Sequence, residues 1–265
     1  MNVGDYQCLH VERDGDVLIV TIDHPASRLN TVDATLHHEL TRLFPALQAE
    51  HDARAVLLTG RGPAFSAGGD FAWFPQLAAD RHALERLRVD ARNMIYDLLD
   101  VHLPIVCGVN GHAMGLGASI ALLCDVIVMA RSATIGDPHV RVGLVAGDGG
   151  TLIWPLAVGP ARAKQYLLTG DPVGAEEAER IGLVNVVADD ADLHATALAW
   201  AHRLASGAPL AVQYTKAAVN ASIKAAATVA FDQAAAWEIA TFASADHAEA
   251  LAALAARRPA DFRGI

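Results

Sequence analysis

The sequence lacks several features that mark secreted proteins and metal-binding modules. Only three of its 265 residues are cysteines, namely Cys8, Cys107 and Cys124. Their number is odd and their spacing matches no common metal-binding pattern, so we expect neither a disulfide framework nor a metal site. Two of the three lie in apolar runs, where a thiol behaves as a small hydrophobic group. Together these features predict a reducing, cytoplasmic setting.

Long hydrophobic runs and clusters of basic residues are also missing. The longest apolar region, residues 104–130, is interrupted by four polar residues and is therefore a poor membrane span. The first 16 residues contain no basic segment followed by an apolar one, so no secretory signal is expected. The formal charge is −10 and no run is rich in lysine or arginine, which argues against a nucleic-acid-binding face.

Apolar residues, in contrast, make up 53% of the chain. A chain of this length can bury a large core, as one large domain or as one domain with a helical extension. The same composition fits a protein that buries apolar surface against copies of itself. The alanine- and leucine-rich stretches after residue 190 favour this second use and predict an oligomerisation layer.

The stretch 104–130 predicts a strand, a glycine-rich turn, a helix and a second strand. Ile105–Val109 and Val126–Ala130 are apolar runs typical of buried strands, and Asn110–Gly117 is the turn between them. Free N–H groups at a helix N-terminus favour negative charge, although a tight turn without a ligand explains an isolated case equally well. A dinucleotide fingerprint is excluded because Ile120 stands where its third glycine belongs.

A second glycine-rich loop follows another predicted strand. Residues 54–60 are mostly apolar, and residues 61–70 contain three glycines and end in Ser-Ala-Gly-Gly-Asp. Two such loops after two strands can supply two convergent backbone N–H donors, which is what an oxyanion hole requires.

The remaining elements are predicted from periodicity and from turn residues. We expect a strand at 17–23 paired with 9–12, a helix at 35–50, a short strand at 133–136 and a strand at 183–187. A long loop is expected at 137–150. Helices are predicted at 152–156, 160–169, 175–181, 191–206, 209–225, 228–243 and 246–256.

Four motifs, in order and spacing, resemble the crotonase superfamily, the enoyl-CoA hydratase/isomerase family. They are FSAGGD at Phe65–Asp70, VNGHAMGLGASIALLCD at Val109–Asp125, GDPHVRVGLVAGDGG at Gly136–Gly150 and EEAERIGLVNVV at Glu176–Val187. Any one motif is weak, but the four in register cover nearly the whole chain.

The resemblance implies an α/β fold: a crotonase-like spiral of repeated β-β-α turns followed by a C-terminal α-helical oligomerisation region. We expect residues 1–190 to form the spiral core with the CoA and acyl site. Residues 191–265 are expected to form the helical region that covers the site and assembles a homo-trimer or homo-hexamer. No tightly bound cofactor is expected, since coenzyme A enters as part of the substrate.

The resemblance also assigns binding residues. The oxyanion-hole donors are the backbone N–H groups of Gly69 and Leu116, and the carbonyl of Ala67 accepts from the adenine amino group. Gly68 and Asp70 belong to the same CoA-binding loop. A further residue, Arg28, is a candidate contact for a CoA phosphate, or equally a solvated loop arginine.

The acid–base residues depart from the family pattern. Ser119 and His139 occupy the positions of the two glutamates of the family's hydratases. His139 is well suited to move a proton near neutral pH, and Asp148 either orients it or caps the following helix. The residue Ser119 is either a nucleophile or a small residue that makes space. His112, in the glycine-rich turn, either points inward or bonds to backbone.

These features predict an acyl-CoA enzyme that works through a thioester enolate, nominally an enoyl-CoA hydratase or isomerase. Two alternatives remain open. One is a crotonase-type C–C hydrolase that cleaves a β-dicarbonyl substrate with His139 and Asp148. The other is a non-catalytic acyl-CoA-binding relative, because both glutamates are replaced. The acidic balance argues against a nucleic-acid partner, and no membrane partner is expected.

Overall fold

Successive strands of the chain enter two different sheets in this computed structural model, which describes residues 6–264. The larger sheet has the strand order β1 (Leu9–Asp14), β2 (Val17–Ile22), β3 (Ala55–Gly60), β5 (Ile105–Val109), β7 (Val126–Ala130) and β10 (Val186–Ala188). The smaller sheet has the order β4 (Ala64–Ser66), β6 (His112–Met114), β8 (Thr134–Gly136) and β9 (Val173–Gly174). β1 and β2 pair as the expected antiparallel hairpin, and the larger sheet is parallel from β2 onward.

Each turn of the chain places one strand in each sheet and then a helix. β3 and β4, β5 and β6, and β7 and β8 are three such pairs, so the expected β-β-α spiral is confirmed. The helices are α1 (Ala34–Gln48), α2 (Phe74–Ala79), α3 (Arg81–Asp100), α4 (Leu116–Leu122), α5 (Gly150–Thr169), α6 (Ala175–Arg180), α7 (Leu193–Ala205), α8 (Pro209–Phe242) and α9 (Ala245–Ala255). A short 3₁₀ helix, His139–Val142, lies between β8 and α5.

The central strands are buried along most of their length because helices cover the large sheet. β5 is buried throughout, as expected for the central strand of a parallel sheet, and α7 packs on β3, β5 and β7. Asp33 caps the N-terminus of α1, and its carboxylate accepts from the N–H groups of Thr35 and Leu36. A second, smaller apolar cluster joins α2, α3 and α8 and forms the wall of a cavity.

Several predicted boundaries were wrong. The two helices predicted at 209–225 and 228–243 are one continuous helix, α8, because no glycine or proline interrupts its alanine-rich middle. The glycine-rich turn contains the short strand β6, which pairs with β4 and β8. The strand predicted at 183–187 is β10, three residues long at 186–188. The two helices predicted at 152–156 and 160–169 join across a kink at Gly159, whose φ is 77°.

The division of the chain at residue 190 stays a prediction. α8, from the expected helical region, lies against α3 and α5 of the expected core. No helix within residues 6–264 is long and apolar enough to cross a membrane. Large apolar side chains of α8 are exposed in the single chain, namely Leu210, Tyr214, Val219, Val229 and Trp237.

Candidate active site

The two glycine-rich loops predicted from the sequence lie directly against each other. β4 and β6, which lead into them, are neighbours in the smaller sheet. A Cβ on Gly117 would lie 2.6 Å from the carbonyl oxygen of Ser66, so only glycine permits this approach. The first loop runs on to Gly69 and the second to Leu116, which brings the two predicted oxyanion-hole residues to one cavity.

The N–H groups of Gly69 and Leu116 are free to bind a ligand. Among the hydrogen bonds of the described chain, none uses either donor. Leu116 is the first residue of α4, and an N–H at that position has no acceptor within its own helix. Both residues line the cavity together with His139.

The residue His139 stands at the centre of three carboxyl groups. Its Nδ1 lies 2.5 Å from Oδ1 of Asp137, and its Nε2 lies 3.4 Å from Oδ2 of Asp148. Oε1 of Glu238 is 3.9 Å from the same Nε2. His139, Asp148 and Glu238 all line the cavity, and their side chains are 9–13% exposed.

The predicted proximity of His139 and Asp148 is therefore observed, while the capping alternative for Asp148 was wrong. α5 is capped by Gly149, and no side chain caps it. Asp148 instead accepts a hydrogen bond, 3.2 Å long, from the hydroxyl of Ser119, which is fully buried. The hydroxyl is directed at the carboxylate and not at the imidazole, so the geometry gives no support to a Ser119–His139 nucleophile pair.

The other predicted residues lie in loops beside the cavity rather than among its lining residues. Arg28 is exposed, and Ala67 donates its N–H to the carbonyl of Leu29. Gly68 is buried and accepts from the N–H of Val32, and the carboxylate of Asp70 accepts from the N–H of Ala72. Their contact with coenzyme A stays a prediction.

The inward alternative for His112 was wrong. The side chain is exposed, and its Nδ1 pairs with the hydroxyl of Thr134 at 2.8 Å. Its partner is thus a side chain rather than the expected backbone group.

Sequence reasoning missed Asp137, Glu238 and a cavity-lining histidine, His37. Asp137 comes directly after β8 and two positions before His139, which is a signal the sequence did contain. Glu238 lies in α8, and it reaches the site because Gly147, in the segment between β8 and α5, lets the helix approach closely. A Cβ on Gly147 would lie 2.7 Å from Cβ of Glu238. Nothing in the alanine-rich sequence of α8 marks this one glutamate.

The carboxyl groups set the charge of the site. Burial by itself would lower the pKa of His139, but the negative charges of Asp137 and Asp148 outweigh it and raise that pKa well above 6.5. Burial raises the pKa of Glu238 to about 8, and repulsion from Asp148 adds to this effect. At neutral pH the site therefore holds a charged imidazolium and a neutral carboxylic acid.

Asp137, His139 and Asp148 offer ligand-type atoms within 4.8 Å of one another. The two ring nitrogens of His139 face different carboxylates, however, and a single ion can bind only one of them. A hydrogen-bonded imidazolium accounts for this arrangement.

We predict that Glu238→Gln raises thermal stability more at about pH 9 than at about pH 6. The pKa of this carboxyl is 4.5 in its ordinary state and about 8 in the folded protein, so its contribution to stability is lost as pH rises between these values. Glutamine has the same shape and cannot ionise. Calorimetric unfolding midpoints at the two pH values measure the effect, and the exposed Glu85→Gln is the control. Equal effects of Glu238→Gln at both pH values would contradict the assigned protonation state.

Comparison with known proteins identifies relatives over nearly the whole chain. Residues 12–264 match the family described as Enoyl-CoA hydratase/isomerase. A probable enoyl-CoA hydratase of Rhodobacter capsulatus is 34% identical over 262 residues, which is 98% of this chain and 99% of that protein.

Two solved structures illustrate the range of the similarity. An enoyl-CoA hydratase/isomerase from Mycobacterium paratuberculosis has a TM-score of 0.89 and 38% identity, and the match covers 94% of this chain and 99% of that one. A β-diketone hydrolase from the cyanobacterium Anabaena, bound to (S)-3-oxocyclohexyl acetic acid, has a TM-score of 0.84 and 28% identity. That match covers 92% of this chain and 98% of the hydrolase.

Proposed function

This chain belongs to the enoyl-CoA hydratase/isomerase family of the crotonase superfamily, and within that family we propose that it hydrolyses a carbon–carbon bond of a β-dicarbonyl substrate. The observation that carries the proposal is the placement of His139 among Asp137, Asp148 and Glu238, in the cavity that Gly69 and Leu116 also line. The similarity to a β-diketone hydrolase supports it.

In the proposed reaction His139 transfers protons, and the N–H groups of Gly69 and Leu116 bind the enolate oxygen. His139, once neutral, takes a proton from a water molecule, and the resulting hydroxide adds to one carbonyl carbon. The bond between that carbon and the central carbon then breaks, and its electron pair moves onto the central carbon. The second carbonyl oxygen carries the resulting enolate charge and is held by the N–H groups of Gly69 and Leu116.

Protonation of the central carbon completes the reaction. Glu238 is a neutral acid at neutral pH and supplies this proton, and the proton on His139 returns to Glu238 across the 3.9 Å that separates their atoms. Asp137 orients the imidazole through Nδ1, and Asp148 stabilises its charged form at Nε2. The products are a carboxylic acid and a ketone, so one water is consumed and no redox step is needed.

Activity is predicted to rise with pH as His139 loses its resting proton and becomes a base, and to fall at higher pH as Glu238, whose pKa is about 8, loses the proton that it supplies to the central carbon. Asp137→Asn removes one of the two negative charges that raise the pKa of His139. The rising limb of the profile of kcat/KM against pH should therefore shift to lower pH in Asp137→Asn. Asp70→Asn, beside but outside the cavity, is the control and should leave the limb in place. If the rising limb of kcat/KM against pH does not move in Asp137→Asn, a group other than His139 governs that limb.

A second candidate is hydration or isomerisation of an enoyl-CoA thioester. The favouring observation is that two carboxyl groups, Asp148 and Glu238, line the cavity although neither stands at the family's glutamate positions. Arg28 and Ala67 would then contact the CoA moiety. A non-catalytic acyl-CoA binder would use the same loops without turnover.

Parallel assays separate these functions. The probes are crotonyl-CoA and a cyclic β-diketone with two methyl groups on the carbon between its carbonyls, which cannot enolise there. Release of the ring-opened keto acid from the diketone, with much slower hydration of crotonyl-CoA, supports the proposal. Efficient hydration of crotonyl-CoA without diketone cleavage overturns it. Stabilisation by acyl-CoA without any turnover indicates the binder.

We expect the protein to assemble into trimers or hexamers in solution. The exposed apolar side chains of α8 give a single chain more unpartnered apolar surface than a monomer normally shows. One repeated interface closes into a ring of fixed size. Multi-angle light scattering should report about three or six chains. A monomer at micromolar concentration would contradict this expectation.

A further inference from the structure

His37 lines the cavity and is not used by the reaction described above. It lies on the buried face of α1, and the whole residue is only 6% exposed. Its Nε2 is buried and has no hydrogen-bond partner within residues 6–264. Buried polar atoms nearly always have a hydrogen-bond partner, so we expect a ligand atom to pair with this nitrogen.

The surroundings of His37 keep it neutral and fixed. Burial lowers its pKa to about 4, against the opposing effects of Asp90 and Asp148. A neutral imidazole has one N–H donor and one acceptor nitrogen. The ring of Trp73, whose centroid is 5.9 Å away, packs beside it. The group therefore fits an uncharged ligand oxygen better than an anion.

We propose that His37 binds the substrate by donating a hydrogen bond from Nε2 to the carbonyl that water attacks. This inference rests on the proposed hydrolysis and names what selects its substrate. Gly69 and Leu116 hold one carbonyl oxygen, and His37 holds the other. A ligand with a single carbonyl leaves one of these buried groups unpaired.

Selectivity for two carbonyls follows from this arrangement. A site built to pair a substrate's polar group rejects an analogue without that group more strongly than an apolar pocket rejects a size change. His37 also polarises the attacked carbonyl, so its loss should lower kcat as well as affinity.

The test measures binding of two ligands in a His139→Ala background, where hydrolysis is expected to be slowed by roughly 10²- to 10⁴-fold. The ligands are the dimethylated cyclic β-diketone and the cyclic monoketone of the same ring and methyl pattern. We expect the diketone to bind about tenfold more tightly than the monoketone. Adding His37→Leu should remove this preference, and adding His37→Gln, which keeps a donor near the position of Nε2, should retain most of it.

The neighbouring histidine on the same helix, His38, is exposed and provides the matched control. His38→Leu should leave the preference for the diketone unchanged. Unfolding midpoints of all variants show whether each remains folded, and His37→Gln keeps the test valid if the leucine variant is unstable. A preference that survives His37→Leu in a folded protein overturns the inference and leaves the hydrolase proposal standing. Absence of diketone binding and cleavage by the unmodified protein overturns both.

Discussion

His139→Ala should lose most of the turnover, by roughly 10²- to 10⁴-fold, while the affinity for the substrate changes little. The imidazole is the group at the meeting point of Asp137, Asp148 and Glu238, and no other histidine contacts these carboxylates in the described part of the chain. Binding, in contrast, relies on backbone donors, on the apolar wall and on the proposed hydrogen bond from His37. Steady-state kcat and calorimetric affinity for the diketone measure the two effects separately.

The control for this variant is His112→Ala, which removes a histidine from β6, the strand that pairs with β8. His112 is exposed and pairs with Thr134, so its loss should leave kcat unchanged. A His139→Ala protein that keeps normal turnover would refute the assignment of the base. A large fall in affinity with unchanged kcat would make His139 a binding residue instead.

Leu116→Pro should lower kcat by roughly 10²- to 10³-fold, because it removes one N–H of the oxyanion hole. Leu116 is the first residue of α4, and proline is well tolerated at that position of a helix. The substitution therefore deletes the donor while the helix remains. Its effect should appear in kcat for any substrate that passes through an enolate.

Leu116→Ala is the matched control, because it shortens the same cavity-lining side chain and keeps the N–H. It should change KM modestly and leave kcat within about tenfold of the normal value, since the variant loses only part of the apolar contact with the substrate. Equal losses of kcat in the proline and alanine variants would show that the side chain matters and not the donor. Far-ultraviolet circular dichroism checks that α4 survives in both.

The fold was predictable because the strands and the glycine-rich loops are local patterns. Ile105–Val109 and Val126–Ala130 were predicted with the bounds the structure has, and the loops ending at Gly69 and Leu116 do lie together. Such features depend on neighbouring residues, on apolar runs and on the small size of glycine. The resemblance then supplied the order of the turns and the spiral.

The acid–base site was predictable only in part, because its members come from distant segments. His139 and Asp148 share one loop and were found together. Glu238 belongs to α8, far along the chain from His139, and it reaches the cavity because Gly147 lets that helix approach closely. His37 lies on α1. The helical spacing of apolar residues there predicts the helix, but it does not indicate that His37 faces a cavity. Whether a polar residue faces a cavity depends on tertiary packing, which periodicity does not specify.

All the roles proposed for this cavity depend on cleavage of a carbon–carbon bond by water. The most direct measurement is hydrolysis of the dimethylated cyclic β-diketone in ¹⁸O-labelled water, with mass spectrometry of the product. We expect a ring-opened keto acid that carries a heavy oxygen in its carboxyl group, formed by the unmodified protein and largely lost in His139→Ala. Recovery of intact diketone, under conditions in which the same protein hydrates crotonyl-CoA, would contradict the proposed cleavage.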